Sequence, residues 1–385
     1  MALATTTLAT PLRIERTDAR WPRQASIRWA IRLALAVPFL VLSDLSNAVR
    51  GASLVDSRLH HHAASLPLAG GQLGWVTHAY PPVTVAIARV IPGGPALLGN
   101  LGALCAGVLL QIVIERLVLR SVSVKMALVL AASLVATPAF LFEATQDFPA
   151  FLSLTLLAVG AAGLLDFVLS RLTERGFISG LSFGVATMCD PAAPVFGLAG
   201  AIAALLVSPV RQRGARDGRD AARRRAAMAV LVFPTIATMA GWMFLQWRFT
   251  GSWTASFTRQ EPGLFAFPEG VLGTLHRALL TTGHDLVLAP MLFVSFALLV
   301  RRRPRSALAC LFPCICVVVD LWIGAPLAAS TIIVLLQAFA LLVLPENLSR
   351  LELSALWLAL GAQLALVWAT HAHDQMAWSW LQGLH

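Results

Sequence analysis

The chain has 385 residues, 58% hydrophobic and only 12% charged, with a formal net charge of +10. That balance excludes an ordinary soluble domain. Repeated apolar runs of about 17–22 residues match the length a helix needs to cross a bilayer core, where helices alone satisfy an open backbone. The expected fold is therefore all-α: a polytopic transmembrane helical bundle of about eleven spans, forming one integral-membrane domain over residues 1–385.

In chain order, residues 1–26 are polar and basic, with Arg13, Arg16, Arg20 and Arg23, and read as a cytoplasmic tail followed by a retained anchor. A first span is expected over about Ile27–Leu42. Residues 43–96 follow as a first outer loop, in which Val83–Ile91 forms a short interfacial helix between Pro81-Pro82 and Pro92-Gly93-Gly94-Pro95. The second span covers about Leu97–Leu117 and the third about Met126–Phe142. A tight outer loop, EATQDFP, leads to the fourth at about Ala150–Leu169. Residues 177–209 are too long for one crossing and read as a hairpin of two helices turning near CDPAAP.

A basic cytoplasmic loop at 210–225 carries seven arginines, and a seventh span is expected over about Ala226–Trp247. An outer loop at 248–285 precedes an eighth span ending at Arg301, a hairpin of Ser306–Trp322 and Pro326–Leu344, and a final span at Leu353–Thr370. Only six of the 29 basic residues (Arg50, Arg58, Arg89, Arg248, Arg259 and Arg277) then lie outside. That asymmetry places the N-terminus in the cytoplasm. No aromatic residues interleave with the seven arginines, so nucleic acid is not an expected partner, whereas anionic membrane lipids are. The five cysteines all lie in apolar runs, and the single residue between Cys314 and Cys316 suits neither a redox nor a zinc motif.

The first outer loop concentrates the polar side chains: Asp44, Asp56, His60 to His62 and the chain's single tyrosine, Tyr80. Successive histidines point in different directions and read as a solvated loop, and Tyr80 suits the headgroup level. Asp166 and Glu115, close in sequence to Arg171 and Arg116, read as members of structural ion pairs, while Asp190 and Asp320 fall near outer turns.

Ser43-Asp44-Leu45 with Arg50-Gly51-Ala52, Tyr80-Pro81-Pro82-Val83, the Gln146-Asp147 loop, ISGLSFGVATMCDP and Phe249-Thr250-Gly251-Ser252 occur in an order that resembles the GT-C superfamily of integral-membrane glycosyltransferases, over about residues 27–260. The chain departs from that pattern in having Leu45, not a second acid, after Asp44, and in lacking a large soluble C-terminal domain.

The resemblance implies transfer of a sugar from a polyprenyl-phosphate donor to a glycan, lipid or protein acceptor on the extracytoplasmic face of a bacterial plasma membrane. The alternative is a non-catalytic subunit or a lipid-linked-glycan transporter. Such chemistry needs a base for the acceptor hydroxyl and positive charge for the departing phosphate. Asp44 is the first choice for the base and Asp56 the second. Asp44 and Asp147 are candidates to hold a divalent cation, Mg2+ or Mn2+. The expected substrate-binding residues are Arg50, Arg58, Tyr80, Arg89, Gln146, Asp147, Asp190, Arg248 and Arg259.

Overall fold

The computed structural model describes residues 21–22, 24–66, 81–91, 93–120, 122–170, 173–207, 218–253, 270–302, 307, 311–323, 327–369 and 375–382. Among those residues the regular elements are all helices, with no strand: α1 (Ala25–Arg50), α2 (Leu54–Ser65), α3 (Pro82–Val90), α4 (Gly94–Leu119), α5 (Val124–Val135), α6 (Pro138–Gln146), α7 (Phe148–Ser170), α8 (Thr173–Thr187), α9 (Ala193–Val207), α10 (Gly218–Thr250), α11 (Gly270–Val287), α12 (Pro290–Arg302), α13 (Phe312–Ile323), α14 (Ala329–Leu342), α15 (Arg350–Ala369) and α16 (Gln375–Gln382).

The chain is an integral membrane protein, and every regular element among the described residues is a helix. Five helices (α1, α4, α7, α10 and α15) are long and apolar enough to cross a bilayer, and the bent pairs α5–α6 and α11–α12 raise that to seven. Length and composition of the described helices thus support five to seven crossings, against the eleven expected.

α4 and α7 are the central helices, with most of their apolar windows buried, whereas α1, α10 and α15 are peripheral. On α1, Trp29, Leu33, Val37, Val41, Leu45 and Val49 recur every fourth residue and are all exposed, as suits a face turned to lipid. Its opposite face packs on α4, where Gly107 lets the helices touch: a Cβ there would lie 2.2 Å from the Arg32 carbonyl oxygen. Phe39 of α1, Phe140 of α6 and Phe151 of α7 interlock, with ring centroids 5.6 and 5.3 Å apart.

α1 runs eight residues past the expected end of the first span. Ser43 to Arg50 contain no breaker, and only Gly51, at φ 76°, turns the chain out of the helix. Asp44 consequently stands on α1 and not in a loop. His60 to His62 lie in α2, which corrects their reading as a solvated loop.

The third span is not continuous. Pro138 starts a new helix, and α6 leaves α5 at 74°. At the break, Thr137 donates through its hydroxyl and its N–H to the Leu134 carbonyl, at 2.7 and 3.1 Å, and the Trp368 indole N–H caps the Ala136 carbonyl at 3.0 Å. EATQDFP is accordingly the end of α6 and the junction with α7, not a loop. The hairpin at CDPAAP is present, as α8 and α9. The expected outer loop at 248–285 is helical from Gly270, because α11 occupies its second half and meets α12 at 91°.

At one end of the bundle, polar side chains staple the helices together. Arg28 pairs with Glu115, the Arg32 Nε donates to Gln111 Oε1 at 2.9 Å, and Arg116 pairs with Asp166. Arg120 donates to the Leu344 carbonyl, and Arg302 contacts Glu352 at 2.5 Å. Glu115 and Asp166 therefore do form ion pairs, but across helices. Glu115 cannot face its sequence neighbour Arg116, since adjacent residues on a helix diverge; Arg171 lies outside the described residues. The other end, where α1 finishes and α4 begins, is the upper end.

Candidate functional site at the upper end

α2 and α3 sit across the upper end on a small apolar cluster of Leu59, Ala63, Val85, Ala88, Leu98 and Phe148. The buried positions of α2 are Asp56, Leu59 and Ala63, which share one helical face, so the helix buries a carboxylate together with its apolar residues. α3 is pinned from the other side, where the Val83 N–H donates to the Met188 carbonyl in the α8–α9 turn at 3.2 Å.

Asp56 is 1% exposed. Its Oδ1 accepts the Phe148 N–H at 3.2 Å, and its own N–H donates to Ser53 Oγ at 3.0 Å, which caps α2. Asp147 occupies the break between α6 and α7, and its Oδ1 accepts the Ala150 N–H at 3.1 Å. Two carboxylates from segments about ninety residues apart therefore meet at the N-terminus of α7, where the helix dipole favours negative charge.

Burial first, and the neighbouring Asp147 second, push the Asp56 carboxyl well above its ordinary range; the Phe148 and Ser53 hydrogen bonds oppose them. The folded state thus holds this proton more tightly than the unfolded chain. The stability it contributes is complete below the ordinary value of 3.8 and is lost as pH rises through the folded value. Melting temperature of the wild type should fall with rising pH over that window, whereas Asp56→Asn, with no proton to release there, should show a flatter profile. Equal slopes in the two proteins would refute the assignment.

Asp44 is exposed on the last turns of α1, and its Oδ1 accepts the Asn100 side-chain N–H at 3.1 Å. The two acids are linked through glycine. A Cβ at Gly99 would lie 2.7 Å from the Thr145 carbonyl oxygen and 2.8 Å from Ser43 Oγ, so α1, α4 and α6 converge there, one residue before Asp44 and two before Asp147. A Cβ at Gly102 would likewise lie 2.7 Å from the Ala144 carbonyl oxygen.

The remaining expected site residues divide. Gln146 is buried at the end of α6 and donates to the Thr145 carbonyl at 2.8 Å. Arg58 is exposed on α2, two residues from Asp56, with no hydrogen bond or ion pair among the described residues. Arg89 donates to the Ala64 carbonyl at 3.1 Å, tying α3 to α2. Arg50 donates to the Ser379 carbonyl at 3.1 Å. Asp190 caps α9 through the Ala192 N–H at 2.9 Å. Arg248, at the end of α10, lies 5.7 Å from the Phe249 ring centroid, beside the stacked pair Trp247–Trp253. Tyr80 and Arg259 lie outside the described residues.

Three features escaped sequence reading. Asn100 orients Asp44; an asparagine in an otherwise apolar helix is costly enough to have signalled a role. Buried Glu143 accepts from Thr331 Oγ1 at 2.6 Å, joining α6 to α14. α16 folds back over the upper end, its Trp380 indole donating to Ser46 Oγ at 2.9 Å and lying edge-on to Phe142 at 5.9 Å. Neither of the last two has a local signature.

Among the described residues, no group of three or more His, Cys, Asp or Glu side chains could hold a metal by itself. Asp56 and Asp147 are the two carboxylates that meet at the start of α7, whereas Asp44, expected with Asp147 at a metal site, is engaged by Asn100.

No family model matches the chain, and no curated protein does. The crystal structure of the Archaeoglobus fulgidus oligosaccharyltransferase in the apo form resembles it with a TM-score of 0.46 and 14% identity, over 87% of this chain. The chain spans 55% of the length of that protein.

Proposed function

We propose that the protein is a membrane glycosyltransferase of the GT-C type, which moves a sugar from a polyprenyl-phosphate donor to an acceptor hydroxyl at the upper, extracytoplasmic end. One observation supports this reading: carboxylates from α1, α2 and the α6–α7 junction gather at that end, where Arg58 is exposed on another face of α2. A long isoprenoid tail cannot leave the bilayer, so the reacting phosphate is held at the depth where these groups lie.

Asp44 accepts the acceptor's hydroxyl proton, the freed oxygen bonds to the anomeric carbon, and the bond from that carbon to the phosphate oxygen breaks. The polyprenyl phosphate leaves with the bonding electrons. Asn100 fixes the Asp44 carboxylate, and Arg58 with Arg89 brings positive charge to the phosphate. A divalent cation held by Asp56 and Asp147 would supply further charge neutralisation. Asp56, almost fully buried, suits this supporting place better than that of base.

The test uses the full chain in nanodiscs with radiolabelled polyprenyl-phosphate sugars and membrane acceptors. Transfer is expected, and Mg2+ or Mn2+ should raise the wild-type melting temperature at neutral pH but not that of Asp147→Asn. A second reading, a non-catalytic membrane subunit, has in its favour that Asp56 and Asp147 both accept N–H groups at the first turn of α7. Absence of transfer, with Asp56→Asn and Asp147→Asn losing stability alone, would select that second reading.

A further inference from the structure

Where α11 meets α12, a cleft of about 440 Å³ opens between α11 and the facing ends of α13 and α14. Its size falls within the range of small-molecule sites. Leu280, Leu321, Leu327 and Ile332 form apolar walls, and Thr281, His284 and Asp285 add a polar edge. Asp285 is 3% exposed, and its Oδ2 is buried with no hydrogen-bond partner among the described residues. An acceptor left unpaired at such depth carries a desolvation cost that a donor would remove. The cleft is separate from the Asp44, Asp56 and Asp147 group, although Ile332 stands beside Thr331, whose hydroxyl reaches Glu143 on α6.

The lining defines what fits. A carboxylate repels a phosphate placed against it, and a phosphocholine headgroup has no N–H or O–H to give. Apolar walls next to one buried acceptor call for a molecule that is mostly hydrocarbon with a donor at its end. We propose that this cleft binds a membrane amphiphile whose ammonium or hydroxyl group donates to Asp285 Oδ2, with the adjoining hydrocarbon against Leu321, Leu327 and Ile332. This assignment is independent of glycosyl transfer.

Native mass spectrometry of the full chain, titrated with phosphatidylethanolamine, diacylglycerol and phosphatidylcholine of identical acyl chains, tests it. At least one of the two donor-bearing lipids should bind about tenfold more tightly than phosphatidylcholine, a difference of the size charge-assisted or buried hydrogen bonds give. Asp285→Leu should reduce that lipid to the phosphatidylcholine level. The near-isosteric Asp285→Asn separates the sources: it should abolish a preference for the ammonium headgroup but retain one for the hydroxyl. Equal binding of all three lipids by the wild type would overturn the proposal without reference to any variant. So would a preference that survives in Asp285→Leu.

Discussion

Replacing Asp44 by Asn should slow sugar transfer by on the order of 10²- to 10⁴-fold, the usual contribution of a positioned general base, while donor binding and the fold persist. The substitution preserves shape. The amide oxygen can still accept from the Asn100 side chain, which now reaches Oδ1 at 3.1 Å. Only the charge and the basicity are removed. Asp44 is exposed at the end of α1, so its replacement leaves no buried partner stranded and should cost little stability. The loss should therefore appear in kcat with KM nearly unchanged, measured by single-turnover transfer in nanodiscs. Wild-type turnover in Asp44→Asn, with loss in Asp56→Asn, would transfer the role of base to the buried acid.

Gly107→Leu should destabilise the α1–α4 contact by ~3 kcal/mol, toward the upper part of the range for overpacking. Even a Cβ at this position would approach the Arg32 carbonyl oxygen to 2.2 Å and the Ala36 Cβ to 2.9 Å. The nearest atom is backbone, so no rotamer change relieves it, and α1 must move off α4. In a bilayer the association of helices rests on such close contacts and on interhelical hydrogen bonds. Here both would suffer, because the Arg32–Gln111 bond spans the same interface. Displacing α1 also moves Asp44 away from Asn100, so transfer should fall with stability. Gly241→Leu is the control: a Cβ there meets nothing within 4 Å, and its melting temperature in detergent should stay near that of the wild type. A comparable loss in both variants would attribute the effect to glycine replacement in general and not to this contact.

What could be read from the chain alone follows from which forces leave a local trace. Hydropathy located α1, α4, α7, α10 and α15, because lipid selects continuous apolar length. Asp190-Pro191 located the α8–α9 turn, since proline ends a helix by removing a donor. Pro138 carried the same signal, but the apolar residues on both sides hid it, and α5 and α6 were read as one span. The upper end was legible in its composition and not in its assembly. Asp56 and Asp147 are both conspicuous acids, yet their meeting depends on α2 lying over Phe148, a contact between distant segments. Asp285 reads in sequence as the boundary of a loop, because nothing near it shows that α11 meets α12 at 91° or that its side chain is buried.

The contact between Trp380 and Ser46 spans 334 positions. Ribosomes add about 5–20 residues per second, so roughly 17–67 s separate the synthesis of the two partners. During that interval α1 and α6 can already be in the membrane, but Phe142 and Ser46 lack the indole that covers them. The upper end is completed by a helix translated long after its partners, and nascent chains must wait there with a polar and aromatic gap still open to their surroundings. A fusion that delays release of α16, or a stop codon placed before it, would arrest maturation at that stage and not at insertion of the earlier helices.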